Sequence, residues 1–200
     1  GDYSSVFRQG TRFKLAQTTT KYFICSADSV YSSPNTTVTV YGGTDYDLAN
    51  AAITSPYYSN NRWPSGFPTN PGKWSVVVTD TGDRSASVND HVWANVGSVS
   101  ITIPIGGWWV TYRAYAGGAA ITLELYSTLS TANNSESDSR FSLCCLPPTG
   151  TTFQLSPTFL SLTAKDVYYL NFRPESDGAE TVEVWGSYLT TRITAVSALL

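Results

Sequence analysis

The chain is short of charge, of histidine and of cysteine. Only 14% of its 200 residues are Asp, Glu, Lys or Arg, against the ~25% usual in soluble domains. It has no run of Lys or Arg and a net charge of −3, which argues against nucleic acid as a partner. No apolar run approaches the ~20 residues of a membrane-spanning helix, so membrane insertion is not expected. Met is absent, including at position 1, which indicates a processed chain or a piece of a longer one.

The scarcity of histidine and cysteine removes most catalytic and metal sites. The one histidine, His91, follows Asp90 at the entry to a predicted strand, and no Gly-x-Ser-x-Gly motif is present. We therefore interpret it as a solvated residue; three copies meeting on a trimer axis stay open as an alternative. Cys25 and the adjacent Cys144 and Cys145 do not have the spacing of zinc ligands, and adjacent cysteines rarely bridge. We expect buried free thiols, no metal and no cofactor, with a disulfide from Cys25 as the alternative.

Pairs of carboxylates could support glycoside hydrolysis, but each candidate pair here lies in a predicted turn. Turn residues cap the backbone, and none of these pairs has the apolar surroundings that raise the pKa of a catalytic acid. A calcium site at the first pair stays open. We expect a protein that is not an enzyme. The pairs are Asp45 with Asp47, Asp80 with Asp83, and Glu175 with Asp177.

What the chain has in quantity is β-branched and aromatic residues in short runs between turn residues. Hydrophobic residues make up 42%, enough for a core, and several runs alternate apolar and polar residues, as half-buried strands do. The sequence predicts an all-β protein, an antiparallel β-sandwich or jelly roll preceded by a small β module. A single helical turn is predicted around Tyr46–Ala52. The predicted strands are Arg12–Ala16, Lys21–Cys25, Thr36–Tyr41, Lys73–Asp80, His91–Val96, Ser98–Ile103, Trp108–Ala116, Ala119–Ser127, Ser139–Leu146, Thr158–Thr163, Asp166–Arg173, Thr181–Leu189 and Arg192–Leu200.

A stretch rich in proline and glycine divides the chain. Residues 61–72 contain three prolines and two glycines, and Trp63 and Phe67 within the stretch need packing partners. We interpret it as a structured connector between a small β module at 1–60 and a jelly-roll head domain at 73–200. The paired glycines Gly117 and Gly118 predict a tight hairpin inside the head.

Several segments resemble bacteriophage tail-fibre proteins. The first part resembles small β modules of these fibres, and the second resembles their jelly-roll heads, related in shape to tumour-necrosis-factor heads. This resemblance implies a virion location, a homotrimer, contact with other virion proteins and host-surface recognition, and it supplies no catalytic residues. The segments are Thr11–Leu15, Thr36–Val40, Thr44–Thr54, Tyr57–Ser59 and Gly66–Pro68 in the module, and Ile103–Trp108, Leu162–Leu170 and Ile193–Leu200 in the head.

Exposed aromatic rings could stack on sugar rings. Tyr57, Tyr58 and Trp63 lie in or beside the connector and are the candidate glycan contacts. Tryptophans inside predicted strands are interpreted as packing residues. Trp108 and Trp109 are neighbours on one strand, so one should enter the core and the other should face solvent or a partner subunit.

A polar loop is the candidate for receptor binding. If the last strand ends at the stalk and each turn reverses the chain, the loop Thr128–Asp138 lies at the distal end of the head. Its amide, hydroxyl and carboxylate groups could bind sugar hydroxyls. The residues of this candidate site are Asn133, Asn134, Ser135, Glu136 and Asp138.

The sequence thus favours a homotrimeric bacteriophage fibre with a structural role and a role in binding a host-surface receptor or glycan. Two alternatives stay open. One is a purely structural virion protein, such as a capsid decoration or collar protein, and the other is a carbohydrate-binding module or lectin.

Overall fold

A computed structural model describes residues 1–43, 48–118, 121, 123–145, 150–176 and 178–200. Within these residues the protein is all-β, with antiparallel sheets and two short 3-10 turns, and it holds no helix long and apolar enough to cross a membrane. The strands are β1 Arg12–Gln17, β2 Thr19–Cys25, β3 Val30–Ser32, β4 Asn35–Thr37, β5 Val40–Tyr41, β6 Thr54–Ser59, β7 Ser75–Asp80, β8 Asp83–Val88, β9 Ser100–Ile103, β10 Gly106–Gly117, β11 Glu124–Ser130, β12 Leu143–Cys145, β13 Thr151–Gln154, β14 Thr158–Leu162, β15 Asp166–Glu175, β16 Glu180–Trp185 and β17 Thr191–Ser197.

The first strands form the small module. They make a four-stranded sheet in the order β5-β2-β1-β6, with β3 and β4 as a separate hairpin. One face of the sheet is apolar, because Phe13 and Phe23 are cross-strand partners and Phe7 packs 5.3 Å from Phe13. The predicted small β module is therefore present as a sheet, while the chain division at 61–72 stays a prediction.

The remaining strands form a sandwich of two sheets. In one, β10 lies between β17 on one side and β13 with β14 on the other, and β7 pairs with β17. The other sheet has the order β12-β11-β15-β9. β16 and β17 both run antiparallel to β10 along the same edge, so they are one long strand interrupted at 186–190. β7 with β8, and β13 with β14, are interrupted strands of the same kind.

These interruptions reduce the sandwich to eight long strands. Counted along the chain, one sheet has the order first, eighth, third, sixth, and the other has the order second, seventh, fourth, fifth. This is the connectivity of an antiparallel jelly roll, a sandwich of two four-stranded sheets built from two Greek keys. The predicted fold class is confirmed.

The core lies between the two sheets. Trp108 is 1% exposed and Trp109 is 46% exposed, as their opposite directions on β10 require. Tyr112 crosses the core, and its hydroxyl lies 2.8 Å from Ser127 Oγ and donates to Phe141 O at 3.1 Å. Burial raises the pKa of Tyr112, so this link between the sheets stays protonated.

Several local predictions were wrong. β10 and β11 belong to different sheets, so Gly117 and Gly118 do not form a hairpin between them. The predicted strand at His91–Val96 is a loop with one bridge between Ala94 and Phe172. Thr36–Tyr41 is split between β4 and β5, and β3, β6, β8 and β13 were not predicted. The predicted helical turn at Tyr46–Ala52 falls partly outside the described residues.

The module and the sandwich meet where β10 begins and β17 ends. The ring of Tyr41 lies 5.1 Å from Trp108 and 6.2 Å from Trp74, and the Arg12 guanidinium donates to Leu199 O. We call this end of the sandwich the module-side end, and the opposite one the far end.

Candidate functional site

The predicted receptor-binding loop folds back over its own sheet. Asn171 points to the outer face of β15 and is nevertheless 0% exposed, because residues 132–135 cover it. Its side-chain amide donates to Ala132 O at 3.0 Å and to Ser135 O at 2.7 Å, and its oxygen accepts from Asn134 N at 3.3 Å. The loop is therefore fixed to the sheet and does not project into solvent.

The loop does not leave the sandwich at the far end. Ser130 pairs with Tyr169, close to Asp166, and Asp166 pairs with Ile103 at the module-side end. The distal placement was wrong because it counted Leu189–Thr191 as a reversal, whereas β16 and β17 run in the same direction. Once β16 and β17 are counted as one strand, every earlier loop of the sandwich lies at the end opposite to the predicted one. The connections at 89–99 and 176–179 lie at the far end, where β10 and β12 end and β11 and β13 begin as well.

Two of the five predicted loop residues hold the loop in place. Asn134 Oδ1 accepts from Asn95 N at 2.7 Å. Asp138 accepts from Arg140 N at 3.0 Å and pairs with the Arg140 guanidinium at 2.6 Å, which lowers the pKa of Asp138. Ser135 is half-buried, while Asn133 and Glu136 are exposed. A receptor role for the loop stays a prediction, and its exposed predicted residues are Asn133, Asn134 and Glu136.

A cleft lies on the module, between its sheet and the connector. Its volume is about 340 Å³, within the range of small-ligand sites. Lys14 on β1 is the direct cross-strand partner of Tyr22 on β2 and of Tyr57 on β6, so the three side chains form one row on the same face. The other lining residues are Arg12, Phe13, Tyr58, Ser59, Pro64, Ser65 and Phe67.

The connector closes the other side of this cleft. Phe67 stacks on the buried Trp74 with ring centroids 5.4 Å apart and meets the ring of Tyr22 edge-on at 5.7 Å. The Trp74 indole N–H donates to Pro68 O at 2.9 Å, which fixes the tryptophan. Phe67 thus has packing partners on both sides, and the cleft has aromatic rings on two sides.

The cleft combines aromatic faces with cationic and hydroxyl groups. Tyr57 is 65% exposed, and Lys14 between the two tyrosines is exposed as well. Arg12 lies below them, 4% exposed, with its guanidinium 5.8 Å from the Phe67 ring. Burial and the neighbouring Arg62 lower the pKa of Arg12. Such a site can stack a sugar ring and donate hydrogen bonds to its hydroxyls.

The structure treats the three predicted glycan contacts differently. Tyr57 lies in the Lys14 row. Tyr58 also lines the cleft, but it is the cross-strand partner of Phe13, and its ring packs edge-on against Phe7 at 5.2 Å. Trp63 is 55% exposed and does not line the cleft; the Arg62 guanidinium lies 5.4 Å from its ring.

The residues that sequence reasoning missed are Tyr22, Lys14 and Arg12. They lie on strands that were correctly predicted, but their cross-strand register with β6 was not, since β6 itself was not predicted. The signal that could have found them is the alternation of Arg12, Lys14 and Ala16 on β1, which puts charged residues on one face.

The other candidate chemistry is dispersed. His91 is exposed, with its Nε2 3.8 Å from Glu175 Oε1. Among the described residues, no group of three or more His, Cys, Asp or Glu side chains could hold a metal ion. Asp45, Asp47 and Asp177 lie outside those residues, so two of the three predicted carboxylate pairs are not described. Cys25, Cys144 and Cys145 are free thiols, and Cys144 is exposed where burial was expected.

Comparisons with known proteins identify no family. No protein-family model matches the chain, and no curated protein matches its sequence. A chain of the Bacillus endospore appendages, a family of disulfide-linked pili, is similar with a TM-score of 0.29 and 10% identity, covering 62% of this chain and 91% of the pilus chain. A chain of infectious bursal disease virus, Gx strain, is similar with a TM-score of 0.31 and 10% identity, covering 96% of this chain and 57% of the viral chain. Similarities at these TM-scores carry no argument about function.

Proposed function

We propose that this chain is a bacteriophage fibre or related virion appendage protein that binds a glycan on the host surface through the module cleft. The observation that carries the binding role is the row of Tyr22, Lys14 and Tyr57 facing Phe67 across a cleft of about 340 Å³. Aromatic rings beside a few polar groups are typical of ligand sites, and here the half-buried Tyr22 and the exposed Tyr57 flank Lys14.

The appendage part of the proposal draws on the jelly-roll connectivity and on the surface composition. Jelly rolls are found in viral capsid and lectin domains, among others. The low charge of 14% suits a surface that meets water through hydroxyl and amide groups. One fold can host many functions, so the proposed binding role rests on the side chains of the module cleft.

A glycan array with the full chain tests the binding role. We expect Tyr57→Ala to reduce binding to the best glycans roughly tenfold, since loss of about 1.4 kcal/mol of ring contact weakens binding by that factor. Tyr31→Ala is the matched control, because Tyr31 is an exposed tyrosine of the same module outside the cleft. Equal losses in both variants, or glycan binding that Tyr57→Ala leaves unchanged, would contradict the proposal.

A purely structural virion role is the second candidate, and one observation favours it. Trp109 is the cross-strand partner of both Val196 and Phe159, so an apolar row crosses the outer face of the larger sheet. A row of this kind suits a protein partner, and we propose that the partner is a second copy in a homotrimer. A structural virion protein would keep this assembly and bind no glycan on the array.

A further inference from the structure

Two arginines lie directly opposite each other on the outer face of the larger sheet. Arg113 on β10 is the cross-strand partner of Arg192 on β17, and Gln154 on β13 is the partner of Arg113 on its other side. Like charges in directly opposite positions repel, so a sheet avoids this arrangement unless something compensates for it. The row consists almost wholly of hydrogen-bond donors.

No carboxylate among the described residues pairs with either of these two charges. They line a hollow of about 430 Å³ whose other polar side chains are hydroxyls and one amide; we call it the arginine hollow (Thr111, Arg113, Gln154, Ser156, Arg192 and Thr194). Among the described residues neither arginine takes part in an ion pair, whereas Arg84, Arg140 and Arg173 each pair with a carboxylate. Arg192 Nε donates to Thr194 Oγ1 at 3.1 Å, which occupies only one of its five N–H groups.

Aromatic rings adjoin the hollow on the side towards the far end. Tyr115 lies two residues after Arg113 on the same face of β10, roughly 7 Å along the strand. Its ring is 4.6 Å from that of Tyr188 and 5.5 Å from that of Trp185, and Tyr188 is 76% exposed. These three residues, the aromatic shelf, line a second hollow of about 310 Å³ with Ser187.

The backbone allows the shelf to form. Gly150 has φ +128°, and a Cβ on it would lie 2.8 Å from the Tyr115 hydroxyl and 2.9 Å from the Trp185 ring. Any other residue would displace the rings, so glycine here lets the main chain support them from one side.

We propose that the arginine hollow and the aromatic shelf together form a binding site for an acidic saccharide. The arginines bind its anionic group, a carboxylate or a sulfate, with charge-assisted hydrogen bonds, and the shelf stacks on the face of its ring. This site is separate from the module cleft and does not depend on the proposal made for it.

Calorimetric titration of the full chain with matched sugars tests the proposal. The probes are a galacturonic acid tetramer, its methyl ester, which is the same sugar without the charge, and a sulfated galactose tetramer; the two acidic probes distinguish carboxylate from sulfate. We expect an acidic probe to bind at least tenfold more tightly than the ester. Arg113→Gln and Arg192→Gln should each weaken that binding roughly tenfold, and Tyr188→Ala should weaken it as well.

Arg8→Gln is the control variant, because it removes the same charge from an exposed arginine outside the hollow. It should leave binding of the acidic probe unchanged. Tyr57→Ala should leave this binding unchanged as well, because Tyr57 lines the module cleft and not the arginine hollow. Thermal unfolding of each variant checks that it is folded. The proposal is overturned if no acidic probe binds, if acid and ester bind equally, or if Arg8→Gln has the same effect as Arg113→Gln. It is also overturned if the two hollow variants change the mass of the assembly and not saccharide binding.

Discussion

Asn171 shows how one buried side chain determines the path of a whole loop. It satisfies two main-chain carbonyls and one N–H of residues 132–135, and these groups would otherwise lie over the sheet without partners. The sequence presents Asn171 as an ordinary polar position in the alternation of β15. Its role follows from the loop that comes to rest on it.

We predict that Asn171→Ala detaches the loop. Three hydrogen bonds are lost, so the free energy of unfolding should fall by about 2–3 kcal/mol. Hydrogen exchange at the amides of Asn134 and Asn95 should accelerate, because the contact between these two residues depends on the loop position. Thermal unfolding and hydrogen-exchange mass spectrometry measure the two effects.

Asn133→Ala is the control for this prediction, since Asn133 is exposed in the same loop. It should change stability by no more than about 0.5 kcal/mol. Unchanged exchange at Asn134 in the Asn171→Ala variant would show that the loop is held by other contacts.

For single side chains, the sequence predicted well which face of a strand a side chain lies on. It predicted poorly which side chains are cross-strand partners. The opposite directions of Trp108 and Trp109 follow from strand geometry and were correct. The pairing of Lys14 with Tyr57, or of Arg113 with Arg192, depends on which strands are neighbours and in what register. Local periodicity contains no information about either.

Among the secondary-structure elements, the interrupted strands change the predicted topology most, because they continue a strand where a reversal was expected. Gly82 and Gly186 lie at two of the interruptions, and a Cβ on Gly186 would lie 2.4 Å from Gly82 O. The two kinks therefore pack backbone against backbone. Glycine and Asp signal a turn in the sequence, but a kink that continues a strand and a turn that reverses it use the same residues.

Carboxylates hold these kinks together. Asp83 Oδ1 accepts from Ser187 N at 3.0 Å and from Ser187 Oγ at 2.7 Å, joining the kink after β7 to the one after β16. Asp80 accepts from Gly82 N at 2.9 Å and pairs with Arg84 at 2.9 Å. Hydrogen bonds from Ser187 lower the pKa of Asp83, and those from Arg84 lower the pKa of Asp80.

We predict a loss of stability in acid that originates at these kinks. A carboxyl whose pKa is lower in the folded state stabilises the fold above its unfolded pKa, near 3.8, and this contribution is lost as the pH falls through the folded pKa. The melting temperature should therefore decline below about pH 5, and the decline should be shallower in Asp83→Asn, which does not titrate.

Ser187→Ala removes the partner instead of the carboxylate and should make the decline shallower in the same way. The double variant should resemble either single one, because both remove one interaction. Melting curves recorded from pH 7 to pH 3 measure all four proteins. Parallel curves for the original chain and Asp83→Asn would place the acid sensitivity elsewhere.

For the whole molecule, composition and periodicity were sufficient to predict an all-β sandwich. The jelly-roll order needs long-range pairings, such as β9 with β15, between residues more than 60 positions apart. The contact between the module and the sandwich, through Tyr41, Trp74 and Trp108, was beyond prediction for the same reason. The module cleft and the arginine hollow are likewise surfaces that form only in the folded chain.

The apolar row on the outer sheet leads to a prediction about assembly. Trp109 is 46% exposed and Phe159 43% exposed, with their rings 5.3 Å apart and Val196 beside them. An exposed row of this size on a sheet is expected to meet a protein surface, and a second copy is the partner proposed here. We expect the full chain to have the mass of a trimer at micromolar concentration, and Trp109→Lys to have that of a monomer, because the lysine charge cannot be buried without a partner.

Val92→Lys introduces the same charge at an exposed apolar residue of a far-end loop and should leave the trimer intact. Light scattering with sedimentation equilibrium measures the masses, and thermal unfolding confirms that each variant is folded. A monomeric mass for the unsubstituted chain at tens of micromolar, or a Trp109→Lys variant that stays trimeric, would show that this row is not the interface.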